Sequence, residues 1–389
     1  MQILSVHSSY KIRGGEDESR DAEEHLLQRM GHQVERYEET NYHLDQLSLP
    51  DAALRTIWSM ESYQIMMQKL TEKTHDIVHV QNFFPTISPA IYYAAKAKKV
   101  PVVQTLRNYR LLCPNALFFR NGQVCEDCMG KSIPWPGIIH ACYRESRLAT
   151  GAVAAMLTVH RALGTWTEMV DMYVALTQFS RQKFIEGGIP ESKIVVKPNF
   201  VYPDPGKEED KEEFVLFVGR LSPEKGVDTL ISAWQYLGKQ IQLKIVGEGP
   251  LQNQVIEASQ RLPEIEWLGS KPLSDVYTLM GKAKVLIFPS KWYETFGRVV
   301  VEAFARGTPV IASKLGVTEE IVEHGRTGLH FRPGDSKDLA YQLEWALSNP
   351  ARLLKMGQEA RAEFEAKYTA EDNYKRMIEI YQSVLNQAS

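Results

Sequence analysis

Cysteine is scarce: four residues in a chain of 389, too few for the disulfide framework of a small secreted domain. No stretch of 18 apolar residues occurs, so the sequence predicts no membrane-crossing helix. The first residues, Met1-Gln-Ile-Leu-Ser-Val-His7, lack a basic segment ahead of an apolar one and read directly as a strand, so no signal peptide is expected. Charge of one sign is also missing. A net charge of −3 gives no global attraction to nucleic acid. Repeats with a period of 20–50 residues and low-complexity tracts are absent, which excludes solenoids and arrays. The expected compartment is the cytoplasm, with peripheral placement at the inner face of the membrane as the variant.

What is present is an ordinary globular composition, 44% hydrophobic and 24% charged, in a chain too long for one core. Short apolar runs alternate with helical patterns. Strands are predicted at Gln2–Val6, Ile77–Val80, Val102–Thr105, Tyr173–Thr177 and Ile194–Val196. A second series follows at Phe214–Val218, Leu243–Val246, Ile265–Leu268, Val285–Phe288, Val310–Ala312 and Leu329–Phe331. Helical stretches such as Glu23–Met30 and Val227–Leu237 lie between them. This alternation predicts an α/β fold with parallel sheets covered by helices on both faces. Pro198–Glu213, with three prolines, a glycine and a charge run, reads as a linker. Two doubly wound domains result, residues 1–200 and 201–370. A last helix, residues 371–389, carries one broad apolar face through Tyr374, Met377, Ile378, Tyr381 and Val384.

The most informative segment runs from Phe288 to Ala312. Pro289 ends a buried strand, Gly297 opens a helix, Gly307 closes it, and Pro309–Ala312 is the next strand. Glu294 lies in the loop before the helix and Glu302 in its early turns. Free backbone N–H groups and the positive end of the helix dipole beside Gly297 suit an anion. Two carboxylates flanking such a site suit a ligand that is anionic in the middle and rich in hydroxyls at its ends, as a nucleotide-diphosphate sugar is. A pair of solvated helix carboxylates is the plainer reading of the same spacing.

Further segments add to it in order. Phe217-Val-Gly-Arg-Leu-Ser-Pro-Glu-Lys-Gly226 follows a strand and places Gly219, Arg220 and Lys225 at its end. Lys244-Ile-Val-Gly-Glu-Gly-Pro250 ends another strand in a glycine turn at Gly247. Trp267-Leu-Gly-Ser-Lys271 and Gly316–Gly328 follow. The Glu-x7-Glu segment and these four together resemble the retaining GT-B glycosyltransferases, especially family 4. The resemblance implies a GT-B fold, two Rossmann-like domains facing across a cleft, with the C-terminal helix crossing back to the N-terminal domain.

It also implies roles. Glu294, with backbone groups from Phe296 and Gly297 through Arg298 to Val299, would hold hydroxyls of the donor sugar. Glu302 would bind the ribose, Leu268 would lie near the base, and Gly219 and Gly247 would let the backbone approach the donor. Arg220 and Lys225 would neutralise the departing diphosphate. In the N-terminal half, Arg13-Gly-Gly-Glu16 matches the family's glycine loop, so Gly14 and Gly15 would lie against the donor phosphate. Arg107, in Gln104–Cys113, stands where relatives commonly carry a histidine that positions the transferred sugar. An arginine stays protonated and shuttles no proton, but it can hydrogen-bond a sugar hydroxyl or an anionic acceptor.

All four cysteines, Cys113, Cys125, Cys128 and Cys142, fall within 30 residues. Their Cys-x11-Cys-x2-Cys-x13-Cys spacing makes them a candidate structural zinc site bracing Leu111–Arg147, with reduced free thiols as the alternative. From Lys96 to Arg147 nine Lys or Arg stand against three acids, a face that suits an anionic acceptor or an acidic membrane, or simply a solvated surface.

The sequence therefore reads as a retaining, metal-independent glycosyltransferase that moves a hexosyl group from a nucleotide-diphosphate sugar to a hydroxyl acceptor, in cell-envelope or polysaccharide synthesis. A UDP-sugar is favoured slightly over a GDP-sugar, no cofactor is needed for the transfer, and no nucleic acid partner is expected. The rivals are a UDP-sugar 2-epimerase and a non-catalytic nucleotide-sugar-binding protein.

Overall fold

A computed structural model describes residues 1–9, 14–41, 47–237 and 241–388. Arg13 of the glycine loop and Gly238, the expected stop of the helix at Val227–Leu237, lie outside the described residues. The chain divides into two compact units: residues 1–118, 125–199 and 371–389 form the first, and 119–124 with 200–370 the second.

The first unit is built on six parallel strands: β1 (Gln2–Ser9), β2 (Gln33–Thr40), β3 (Ile77–Asn82), β4 (Val102–Thr105), β7 (Met172–Ala175) and β8 (Ile194–Val196), in spatial order β2-β1-β3-β4-β7-β8. Every residue of β3, β4 and β7 is buried, as expected of central parallel strands covered on both faces. β2, at the edge, alternates polar exposed residues with a few inward ones, so no apolar run announces it. The C-terminal helix, Ala370–Ala388, belongs to this unit. Its Met377, Ile380, Tyr381 and Val384 join Ile3, Leu27, Ile77 and Val174 in one buried cluster. Tyr381 and His79 share a 2.8 Å hydrogen bond, and Asn373 accepts one from Lys197 at 3.1 Å.

The second unit holds a short antiparallel hairpin, β5 (Phe119–Arg120) and β6 (Gln123–Val124), and a second parallel sheet. That sheet comprises β9 (Phe214–Val218), β10 (Gln242–Val246), β11 (Ile265–Trp267), β12 (Val285–Phe288), β13 (Val310–Ser313) and β14 (Gly328–Phe331), in order β11-β10-β9-β12-β13-β14. Counted from its own first strand this is 3-2-1-4-5-6, the doubly wound order whose switch point lies between β9 and β12. Ligands of such sheets bind outside the carboxyl ends of the strands at that point. Both sheets and all eleven predicted strands are present; β2 and the hairpin are additions.

The segment after Asn199 is irregular but docked. Lys211 Nζ donates to the Gly281 carbonyl at 2.6 Å and to Thr308 Oγ1 at 2.7 Å, and Arg361 pairs with Asp204 at 2.7 Å. It is therefore fastened to the second unit rather than free to swing.

Candidate active site

In the second unit the chain after β9 passes Gly219 and the exposed Arg220, then forms a short 3-10 turn, Pro223–Lys225, closed by Gly226 in the left-handed conformation (φ 72°). A side chain at Gly226 would strike the Pro289 carbonyl, directly after β12, so glycine lets these two strand ends come together. Gly247, at φ 136°, does the same after β10, where a Cβ would strike the Gly219 carbonyl. Trp267 Nε1 donates to the Gly247 carbonyl at 2.9 Å and fixes the turn from the β11 side. Leu268, next to it, is half-buried. The packing of these turns is a consequence of the glycines, and it brings the loop ends of β9, β10 and β12 to one edge.

At that edge Glu294 is buried, and three donors converge on its Oε1: Lys225 Nζ at 2.6 Å, Ser290 Oγ at 2.6 Å and Trp292 Nε1 at 2.8 Å. The Lys225 ammonium also stands 5.2 Å from the Trp292 ring centre and 5.8 Å from that of Phe288. Charge-assisted bonds to a buried carboxylate orient it strongly. The sequence brings Lys225 and Glu294 to the same edge; that they pair directly is added by the structure. Ser290 and Trp292 were not foreseen, and only their place in the loop between Pro289 and Glu294 hints at them.

The helix Arg298–Ala305 starts at Gly297, again left-handed (φ 80°), with no side-chain cap. Phe296, just before it, is buried and meets Tyr368 edge-on. Arg298 and Val299 open the first turn, and Arg298 Nε lies 2.8 Å from Glu302 Oε1, one turn later. Glu302 is buried. The arrangement supplies an uncapped helix start, two cations on the β9 side, and two carboxylates already held in place by partners. Chemically, that set can hold an anion and orient hydroxyls.

In the first unit Gly14 and Gly15 are exposed, and a Cβ at either would meet nothing within 4 Å. Gly14 N–H donates to Asp17 Oδ2 at 2.9 Å, and His7, in β1, lies 2.9 Å from Asp17 Oδ1. Burial pulls the His7 imidazole below its usual range; burial works against the Asp17 charge, but the bonds from His7 and Gly14 outweigh it and hold the carboxyl low.

Arg107, two residues after the end of β4, is buried. Its Nε and Nη2 donate to Gln81 Oε1 at 2.9 and 2.6 Å, Nη1 to Asn199 at 3.3 Å, and Nη2 stands 3.3 Å from Glu23. Lys197 is fully buried 3.5 Å from the same Glu23 carboxylate. Burial opposes the Glu23 charge, but the cations Lys197 and Arg107 overcome it and keep the group ionised. Glu23, Gln81 and Lys197 escaped the sequence reading, since a charged residue beside an apolar run carries no mark of burial.

Cys113 and Cys128 are buried, Cys125 and Cys142 half-buried, and all four are free thiols. Burial, and then the neighbouring Cys113, push the Cys128 thiol up to about 12. Among the described residues no group of three or more His, Cys, Asp or Glu side chains stands where it could hold a metal ion; Cys113, Cys142 and Cys125 nonetheless each act electrostatically on Cys128. No helix among the described residues is long and apolar enough to cross a membrane.

Residues 201–363 match the family Glycosyl transferases group 1. Among curated relatives, an uncharacterized 42.6 kDa protein of the cps region of Klebsiella pneumoniae is 30% identical over 252 residues, 63% of this chain and 59% of that protein. A glycogen synthase of Mycobacterium tuberculosis H37Rv is 34% identical over 153 residues, 38% of this chain and 37% of that enzyme. The matched stretches thus span about a third to three fifths of these relatives. Among solved structures, Anabaena Alr3699/HepE in complex with UDP superposes with a TM-score of 0.72 at 20% identity, over 98% of this chain and 100% of that one. A glycosyltransferase of Rickettsia africae gives 0.72 at 18%, over 99% and 98%. The chain has the GT-B fold, and its second unit is a glycosyl transferases group 1 domain.

Proposed function

We propose that this chain is a retaining glycosyltransferase that moves a hexosyl group from a nucleotide-diphosphate sugar to a hydroxyl acceptor. The observation that carries this reading is the Lys225–Glu294 pair beside Arg220, at the switch point of a 3-2-1-4-5-6 sheet and next to the uncapped helix at Gly297. The family match over the same residues supports it.

In the proposed step the bond from the sugar's anomeric carbon to the diphosphate oxygen breaks, and the acceptor oxygen bonds to that carbon from the same face. The leaving diphosphate takes the acceptor's proton. Arg220 and Lys225 hold the charge that grows on the leaving group, a contribution of roughly 3–4 kcal/mol per donor at such sites. No metal is needed for that task, since two cations and a helix start fill it. Glu294 holds sugar hydroxyls; its Oε1 is already fixed by Lys225, Ser290 and Trp292, which limits the poses the sugar can take. Glu302 binds the ribose, and Arg298 keeps it extended toward the first turn.

UDP is the nucleotide we favour, a choice supported by the UDP and UDP-glucose complexes of the Anabaena neighbour. A cell-envelope or polysaccharide acceptor is the class we favour, and cytoplasmic placement goes with it. A non-catalytic nucleotide-sugar binder is the second reading, favoured by Arg107 being engaged with Glu23, Gln81 and Asn199 where a sugar-positioning histidine is common. Thermal unfolding with UDP, GDP and ADP separates the bases. At about a hundred times its Kd, the fitting nucleotide stabilises the fold by about 2.7 kcal/mol. UDP should raise the midpoint more than GDP or ADP; no rise with any of the three would overturn the donor site.

A further inference from the structure

Within the first unit two adjoining helices, Trp135–Ile139 and Arg147–Ala162, leave an apolar surface uncovered. The longer helix has Thr150, Val153, Ala154, Met156, Leu157 and His160 on its buried side. Its outer stripe, Leu148, Ala152, Ala155 and Val159, is apolar as well, and no charged residue occurs between Leu148 and Val159. A surface helix ordinarily turns charged groups to water on that side. Leu148 is 80% exposed, and Ile133, Trp135 and Ile139 are each 52% exposed. Trp135 and Ile139 are four residues apart and share a face of the short helix.

The charges carried by this segment itself are nearly all of one sign. From Lys131 to Leu163 the chain carries Lys131, Arg144, Arg147 and Arg161 against the single acid Glu145. Lys131 Nζ sits 5.5 Å over the Trp135 ring, and Arg144 lies 5.5 Å from the Tyr143 ring. Among the described residues, no ion pair engages Lys131, Arg144 or Arg147. Arg161 is committed instead to the carbonyls of Lys131 and Ser132, which anchors the loop that presents Ile133 and Trp135.

We propose that this surface docks on an anionic lipid bilayer, with Trp135, Ile139 and Leu148 entering the interfacial layer and Lys131, Arg144 and Arg147 meeting the headgroups. The charge pattern selects the occupant. A protein partner or a second copy would need a matching acidic rim, and Glu145 is the only acid this segment offers. Aliphatic side chains beside an indole with a lysine over it, rimmed by bases, are the composition of an interfacial anchor. The proposal is independent of the donor site and is read without any nucleotide sugar, so its failure leaves that site untouched.

The test is sedimentation of the full chain with vesicles of phosphatidylcholine alone and with about a third phosphatidylglycerol. About tenfold more protein should pellet with the anionic vesicles at about 0.05 M salt, and the excess should vanish near about 0.5 M. Trp135→Ser with Leu148→Ser should abolish the excess while leaving the thermal midpoint unchanged, since both side chains are exposed. A Trp135 emission shift on anionic vesicles, absent in Trp135→Phe, checks insertion separately. Equal pelleting by wild type and variant, or equal binding to neutral vesicles, would overturn the proposal. So would a dimer in solution that Leu148→Asp dissolves, which would make the surface an interface between copies.

Discussion

Three donors meet on one carboxylate oxygen of Glu294, and these partners have separable jobs. Lys225 does two things, orienting Glu294 and, in the proposed reaction, stabilising the leaving diphosphate. Interactions that strengthen only in the transition state show in kcat, whereas contacts alike in both states show in KM. Lys225→Ala should therefore lower kcat by about 10²–10³ with the donor KM changed far less. Glu302→Ala should raise the donor KM, by about tenfold, and leave kcat nearly alone. Trp292→Phe keeps the ring under Lys225 and removes one hydrogen bond to Glu294, so a loss in kcat of about tenfold is expected, worth roughly 1.4 kcal/mol. Steady-state kinetics on the three variants checks the set; an unchanged kcat in Lys225→Ala contradicts the leaving-group role.

At the scale of elements, the C-terminal helix is tied to the first unit's sheet through His79. Its Nδ1 is 2.8 Å from the Tyr381 hydroxyl and its Nε2 2.8 Å from Thr105 Oγ1. Burial drives the imidazole down to about 4, against the pull of Glu23, so the folded chain keeps it neutral at pH values where the unfolded chain charges it. The unfolded state then binds more protons between about pH 6.5 and 4. Stability should be full above about pH 6.5 and fall as the pH drops toward 4, by up to roughly 3 kcal/mol from this group. Denaturant unfolding of the first unit across that range checks it, and His79→Gln should flatten the slope. A wild-type slope as flat as that of the variant would show that His79 is not held neutral.

The same elements show what could be read in advance. Val285–Phe288 is legible because a strand buried on both faces is an unbroken apolar run, and Ile77–Val80 because only His79 interrupts its apolar residues. β2 is not, because Gln33–Thr40 lies at the edge and its exposed positions carry the polar Gln33, Arg36, Glu38 and Thr40. The helix of the glycine loop begins at Gly15, well before its apolar Leu26 and Leu27, because Asp17 caps it through the Gly14 N–H. In the site, Gly219, Arg220, Lys225, Glu294 and Glu302 are legible from spacing and strand ends. Their pairing is not, since a Lys and a Glu 69 residues apart meet only once the sheet order is known.

At the scale of the whole molecule, the chain is two α/β units of the same general plan with unlike charged interiors. The first buries Glu23 among Arg107, Lys197 and His79; in the second, the cations of the candidate site lie after a strand end, where Arg220 is exposed and Lys225 partly so. A fold of this type hosts many activities, so the claim of sugar transfer rests on the residues at the second sheet's switch point. Its most direct test uses water as the acceptor. The purified chain is incubated with a panel of UDP-hexoses, and UDP release and the first-formed anomer of the freed sugar are followed by proton NMR. The account predicts slow release from one donor with the donor's anomeric configuration kept in the first product, and loss of that release in Lys225→Ala. Release of the opposite anomer first, or no release from any donor by a chain that binds UDP, would contradict it.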